Sequence, residues 1–336
     1  MITLVTDEVL LAVQTVGICR TNVLLWKGRA MGSLQARTPD HIPGHECSAC
    51  VAKLGPEVTC LRVGDRVAVE PGIACWKCSV CKTGRYNLCD NFRALSFTPG
   101  VEGTMQRYLV HPAELCHKLP EHVTYDDGAM VEPVAEALHT CLRAGITVES
   151  EVLILGADPV GLSSLLVAKA MCARHVCIAD HNEERLAMAK VLGADYTVLV
   201  YRSDASVAAK QITETMACMP DITIESSASE AAIQIAMIVT KAGGVVMMHM
   251  LSKENTKLPL AQAALREIDV KGAFLYPGDR FPLALSMVSS GAIDFKQIIT
   301  HRFPLDKAQE AFEVAGARKG GLVKVVIDCG TEPRRP

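Results

Sequence analysis

The stretch Val152-Leu153-Ile154-Leu155-Gly156-Ala157-Asp158-Pro159-Val160-Gly161 decides the reading of this chain. Its first four residues are an apolar run suited to a strand buried on both faces. Gly156 and Gly161 bracket a turn, and Leu162, Leu165, Leu166 and Ala168 follow with helical spacing. Strand, glycine turn and helix N-terminus in that order form a cradle for a dinucleotide pyrophosphate, because backbone N–H groups and the positive end of the helix dipole face the phosphates. The pattern asks for an acid at the end of the next strand, roughly 20 residues on. Val176-Cys177-Ile178-Ala179 runs into Asp180, whose carboxylate can accept both ribose hydroxyls of NAD. One position departs from Gly-x-Gly-x-x-Gly: the middle glycine is Asp158. That glycine lets backbone approach the pyrophosphate with no side chain between them. Two unit like charges about 4 Å apart repel by roughly 4 kcal/mol at an effective dielectric of 20. Unrelieved, that is a loss on the order of a thousandfold in affinity.

Outward from this stretch, strand and helix alternate. Strands are expected at Val152, Val176, Tyr196, Ile222, Val245 and Val270, with helices near 162–172, 183–192, 204–217, 229–241 and 259–265. That rhythm predicts a doubly wound parallel sheet. Upstream the pattern is strand-rich: Glu8 to Val16, Cys47 to Leu54, Val67 to Glu70 and Thr104 to His111, with Trp26 to Arg37 an exposed loop and Cys75 to Cys89 a compact one. A helix is expected after Thr124, carrying Glu132 and continuing past Pro133 through Leu142. Downstream, helices near 280–290 and 305–315 and a strand at 322–328 finish the chain.

With 336 residues the chain can build two domains with proper cores. A hydrophobic content of 49% with 21% charged residues describes an ordinary globular protein. The net charge of -3 and the absence of a basic stripe argue against a nucleic-acid surface. No apolar run reaches the length of a membrane span, and the N-terminus lacks the basic region of a signal peptide. Fourteen cysteines without a secretion signal predict a reducing, cytoplasmic setting in which clustered thiolates bind metal rather than pair.

Cys75-x2-Cys78-x2-Cys81-x7-Cys89 can wrap one tetrahedral zinc with no open position, a structural site. Lys77, Lys82 and Arg85 solvate that loop rather than read nucleic acid. A reactive metal needs an open position, and Cys19 with the adjacent His45 and Glu46 offers sulfur, imidazole and carboxylate. On spacing alone, a lone cysteine and a His-Glu pair fit packed side chains as well. Cys47 and Cys50, a second C-x2-C pair within a strand, read as packed thiols.

Taken together, Val16-Gly17-Ile18-Cys19, Gly44-His45-Glu46, Val63-Gly64-Asp65-Arg66-Val67, the four-cysteine loop, Gly84-Arg85-Tyr86-Asn87-Leu88-Cys89, Glu132-Pro133 and Thr300-His301-Arg302-Phe303-Pro304-Leu305 resemble the zinc-dependent medium-chain dehydrogenases, in their sorbitol (polyol) dehydrogenase branch. The resemblance implies an α/β chain in which a GroES-like β-rich catalytic domain (1–134 and 275–336) is interrupted by a Rossmann NAD-binding domain (135–274). It further implies two zinc ions per chain, one catalytic on Cys19, His45 and Glu46 and one structural on Cys75, Cys78, Cys81 and Cys89, and a homo-oligomer, tetramer or dimer. Glu132 matches the acid that contacts water and a small polyol substrate, and Thr21 the hydroxyl of a proton relay. Glutamate at 132 disfavours a simple-alcohol or threonine dehydrogenase. The cofactor positions implied are Gly156, Asp158, Val160, Gly161, Asp180, Arg185, His249, Met250, Leu251, Phe274 and Tyr276, and Asp180 favours NAD by repelling a 2′-phosphate. The reaction implied is NAD-dependent oxidation of a secondary alcohol of a sugar alcohol of the sorbitol, xylitol or L-arabinitol type to the ketose.

Several positions depart from the family. Asn22 stands where an aspartate supports the zinc-bound histidine, and Leu24-Leu25 where a His-Tyr pair includes a substrate contact. His249-Met250-Leu251 replaces Val-Gly-Leu beside the nicotinamide, His249 reading as a packing substitution with no acid partner in sequence. Phe274-Leu275-Tyr276 replaces Phe-Arg-Tyr, so Leu275 removes an arginine for polyol hydroxyls. About two dozen N-terminal residues usual in the family are absent. Asp158, Met250 and Leu275 motivate a second reading, a weakened or inactive relative that keeps the zinc-held fold.

Overall fold

The computed structural model describes residues 4–28, 41–200, 204–249, 256–317 and 321–330. The chain divides into two units, one formed by Met1–Ala135 with Pro277–Pro336 and the other by Glu136–Tyr276. In chain order the first unit begins with strands β1 (Glu8–Gly17), β2 (Glu46–Leu54), β3 (Arg66–Val69), β4 (Gly72–Ile73), β5 (Arg93–Ala94), β6 (Tyr108–Pro112) and β7 (Cys116–Lys118). The second contains β8 (Glu151–Leu155), β9 (His175–Asp180), β10 (Tyr196–Leu199), β11 (Ile222–Glu225), β12 (Val245–Met248) and β13 (Asp269–Gly272). The first unit then resumes with β14 (Ile299–Pro304) and β15 (Lys324–Asp328).

In the first unit the sheet runs β14-β15-β1-β2-β3-β7, and β6 pairs with the early part of β1. Its central strand, Glu8–Gly17, carries an apolar run from Val9 to Val13, and Val9, Leu11, Val13 and Val16 join Ala49, Val67, Val325 and Ile327 in one core. The antiparallel β1–β2 ladder is irregular between Leu10 and Leu11 and between Val13 and Thr15, and ends with Gly17 opposite Glu46. That last pair positions the site described below.

In the second unit every strand is parallel and the order is β10-β9-β8-β11-β12-β13. Renumbered within the unit, this is the order 3-2-1-4-5-6, with its switch between β8 and β11. Val152, Leu153 and Ile154 are fully buried, as a central parallel strand covered on both faces requires. Ligands bind such sheets outside the carboxyl ends of the strands at the switch point, where Gly156 and Ser226 lie.

Three local expectations change. Residues 20–26 form a helix that sequence gave no reason to expect: it has no side-chain cap and no acid in its first turn, and is held by burial of Asn22, Val23 and Leu25. The remainder of the loop expected to reach Arg37 lies outside the described residues from 29 onward. The strand placed at Thr104 starts only at Tyr108, because Thr104 and Met105 donate their N–H groups to Gly44 and Pro43 instead. The helix after Thr124 is two helices, Tyr125–Ala129 and Val131–Ala144. Thr124 and Asp127 form a capping box on the first. The break places Glu132 and Pro133 in the first turn of the second, where proline's missing donor costs nothing and the helix dipole favours a carboxylate.

Candidate functional site

Within the first unit, Cys19 lies two residues beyond the end of β1, His45 immediately precedes β2, and Glu46 is its first residue. Since Gly17 and Glu46 are ladder partners, the antiparallel register alone carries Cys19 towards His45 and Glu46. Their ligand atoms all lie within 4.8 Å of one another, and His45 and Glu46 are buried. Glycine at 17 is required, since a Cβ there would collide with the Glu46 carboxylate, and Gly44 takes φ 103° with its backbone against Thr104. The His45 ring packs on Phe97 with centroids 4.5 Å apart.

Sequence reasoning missed Lys324. Its Nζ pairs with Glu46 Oε2, and both side chains are only 2% exposed. Burial pulls the Lys324 ammonium down, but the charges of Glu46, Cys19 and Glu132 outweigh it and hold the group up. The signal was available: a lysine inside Val323-Lys324-Val325-Val326-Ile327, an otherwise unbroken core strand, must have a buried partner. Glu132 is buried too, and its charge acts on both Lys324 and Tyr86.

Thr21 sits in the first turn after Cys19, and its buried hydroxyl has no hydrogen-bond partner. An orphan donor beside sulfur, imidazole and carboxylate suits a site meant to hold a cation and a polar ligand. Asn22 does not simply replace an aspartate, for its amide donates to Ser96 Oγ at 2.9 Å. Leu25 is buried.

The four-cysteine loop closes on itself. Cys75, Cys78, Cys81 and Cys89 bring their sulfurs together within 4.8 Å, including 3.4 Å between Cys78 and Cys81. N–H groups of Lys77 and Cys78 pull the Cys75 thiol down to about 6, whereas burial and the neighbouring thiols push Cys81 up to about 12. Four sulfurs so close ionise together only around a cation, so the set fits a structural zinc. Tyr86 anchors the loop by donating to the buried Glu70 carboxylate, which also meets His117 Nε2 at 2.6 Å.

In the second unit Gly156 adopts φ 112°, and a Cβ on it would lie 2.7 Å from Ser226 Oγ. Gly161 tolerates no side chain because its Cβ would meet the Gly156 carbonyl. Asp158 behaves otherwise than expected. It is the N-cap of the helix Pro159–Ala170, and its Oδ1 accepts from Gly161 N at 3.1 Å. Val160 lies in the first turn of that helix. Asp180, at the end of β9, accepts from Ala157 N at 2.6 Å and from Asn182 N at 2.9 Å. Arg185 is buried in the first turn of the helix that Asn182 caps.

His249 follows β12, and the structure supplies the acid partner that sequence did not show. Its Nε2 lies 3.6 Å from Glu136, while Nδ1 meets Thr140 Oγ1. Because the Thr140 hydroxyl donates to the Glu136 carbonyl, its oxygen is left to accept from His249 Nδ1–H. Met250 and Leu251 lie outside the described residues. Phe274 is exposed, Leu275 takes a left-handed φ of 44° and Tyr276 is buried.

Residues 5–121 match the family described as alcohol dehydrogenase GroES-like domain, and residues 159–290 match zinc-binding dehydrogenase. Sorbitol dehydrogenase of Gallus gallus is 39% identical over 330 residues, covering 98% of this chain and 92% of that protein. An oxidoreductase of unknown specificity from Escherichia coli has a similar structure, with TM-score 0.89 and 31% identity over 98% of this chain and 93% of that one. A structure described as a zinc-binding dehydrogenase from Sinorhizobium meliloti 1021, bound to NADP, gives TM-score 0.87 and 28% identity, over 97% and 93% of the two chains.

Proposed function

The chain belongs to the zinc-binding dehydrogenases with a GroES-like domain, and from that premise we propose that it oxidises a secondary hydroxyl of a sugar alcohol to the ketone, with NAD as oxidant. The observation that carries this reading is the convergence of Cys19, His45 and Glu46 within 4.8 Å in the unit that also buries Glu132. When bound, zinc supplies Lewis acidity to an alcohol oxygen and nicotinamide accepts a hydride. Cys75, Cys78, Cys81 and Cys89 would hold a second zinc that keeps the loop closed.

The chain's own residues do the rest. Cys19, His45 and Glu46 would hold the metal, which would supply Lewis acidity to the substrate oxygen. The alcohol proton would leave through the buried Thr21 hydroxyl, which passes its own proton on to water, or through Glu132 by way of water. Glu132 holds water or a neighbouring polyol hydroxyl, a role that an apolar or thiol side chain could not fill. On the nucleotide side Asp180 accepts ribose hydroxyls and repels a 2′-phosphate, which selects NAD although a relative of similar fold is bound to NADP. The pyrophosphate fits less well, because Asp158 occupies the helix N-terminus. That one observation favours the second reading, an enzyme slowed or silenced through its cofactor site. Homo-oligomerisation and a cytoplasmic location complete the proposal. Among the described residues no helix is long and apolar enough to cross a membrane.

The test is a substrate panel on zinc-replete protein, following NADH formation with sorbitol, xylitol and L-arabinitol against ethanol and threonine. Reduction with at least one polyol is expected. Turnover confined to ethanol or threonine overturns the substrate class, and loss of all turnover with NAD bound overturns the reaction.

A further inference from the structure

The glycine turn of the second unit is built by two glycines, not three. Gly156 is fixed by its φ of 112° and by Ser226 Oγ, and Gly161 by the Gly156 carbonyl, whereas Asp158 has φ −81° and ψ 177°, which any residue adopts. Its backbone therefore makes the same turn a glycine would, and only the side chain distinguishes the site. That side chain is 5% exposed and is spent on the helix's own first turn.

The donors at this helix start are few. Pro159 has no N–H, Gly161 N is taken by Asp158, and Ala157 N is taken by Asp180. Val160 is the first-turn donor left to a ligand. Glu225, ending β11, is fully buried; its Oε1 accepts from Ser227 and its Oε2 has no hydrogen-bond partner. Burial raises its pKa, the contacts to Ser227 oppose that, and Asp158 adds to the rise, so the two carboxyls feel one another. A doubly ionised pyrophosphate arriving here meets the Asp158 carboxylate, with the buried Glu225 behind it in charge contact, where its pattern expects bare N–H groups. The ribose side differs. Asp180 Oδ2 accepts only the Ala157 N–H and keeps a lone pair for a ribose hydroxyl, while Oδ1 accepts the Asn182 N–H and lies 3.3 Å from His181 Nδ1.

We propose that this site separates the two halves of a dinucleotide, accepting the adenosine moiety and resisting the pyrophosphate, with Asp158 a built-in competitor for the helix N-terminus. The inference rests on reading the second unit as a nucleotide site. It assigns Asp158 as a specificity-determining residue that favours adenine nucleosides over adenine nucleoside diphosphates. The helix gains a cap and loses its phosphate subsite.

The experiment is calorimetric titration of the full-length, zinc-replete chain with adenosine, ADP and NAD, for wild type, Asp158→Asn and Asp158→Ser. Asparagine and serine both cap helices well, so the fold is kept while the charge is removed. The expected result is that wild type binds ADP no tighter than adenosine. In the neutral variants ADP and NAD tighten by about tenfold or more, the Coulomb repulsion being screened below its full value, while adenosine changes less than about twofold. An ADP-to-adenosine ratio unchanged by both substitutions overturns the proposal. Binding of no adenosine compound to any of the three proteins overturns the nucleotide reading itself, and the two failures are thereby told apart.

Discussion

Replacing Lys324 with methionine tests whether the proposed metal site of Cys19, His45 and Glu46 is electrostatically balanced without a metal. Lys324 and Glu46 form an ion pair in which neither side chain is more than 2% exposed, so the carboxylate has no access to solvent. Methionine fills nearly the same volume and removes only the charge. Breaking a buried pair from one side costs about 3–5 kcal/mol, because the surviving charge is left uncompensated. For a unit of this size each kcal/mol moves Tm by about 2–4 °C, so the metal-free variant should melt roughly 6–20 °C lower. Zinc reverses the sign. With Lys324 gone the ion becomes the only strong counter-charge for Glu46, and zinc no longer competes with an ammonium for that carboxylate. If zinc recovers about 4 kcal/mol of the loss, its affinity in the variant rises on the order of a thousandfold. The assay is differential scanning fluorimetry on chelator-stripped protein, with and without one added zinc equivalent beyond the four-cysteine site. A small zinc shift in wild type and a large one in Lys324→Met are expected. Equal zinc shifts in both proteins, or an unchanged metal-free Tm, would refute the idea that Lys324 and the metal share Glu46.

Three further outcomes are expected. Gly17→Ala drives a Cβ into the Glu46 carboxylate, so bound zinc should fall from two equivalents to one, by elemental analysis, while the cysteine loop keeps its ion. Thr21→Val should lower kcat roughly a hundredfold or more with little change in KM, since it removes a link in the proton relay rather than a binding group; steady-state kinetics decides. His111 is buried, its Nε2 donates to the Glu70 carbonyl at 2.8 Å, and burial lowers its pKa to about 4. A base depressed in the folded state gives its full stability above its unfolded pKa near 6.5 and loses it as pH falls towards 4. The loss by pH 5 is about 2 kcal/mol. His111→Gln keeps a donor for Glu70 but cannot titrate, so its Tm should fall less between pH 7.5 and pH 5 than that of wild type.

The two motifs dense in local information were legible without coordinates. Four cysteines spaced to wrap one ion, and a strand–glycine–helix turn followed by an acid, carry their geometry in short-range spacing. The alternation of strand and helix from Val152 to Val270 was legible for the same reason, because a strand buried on both faces must be continuously apolar. Cys19, His45 and Glu46 were legible only by family resemblance. Their meeting depends on the β1–β2 register, and register belongs to the ladder rather than to either strand.

What local sequence cannot carry is the destination of a side chain. Asp158 is the exception: readable as a misplaced charge, it is a helix cap by a contact only three residues long, to Gly161 N. His249 had no acid beside it in sequence, and the helix Val131–Ala144 brought Glu136 to 3.6 Å. Lys324 was an anomaly in an apolar strand until folding buried it against Glu46. The chain alone thus determined the alternating parallel-sheet unit and the closure of the four-cysteine loop, since those follow from periodicity and spacing, and family resemblance supplied the rest. Only the tertiary structure decided which charges neutralise one another, because a buried charge takes whichever partner the fold brings within reach.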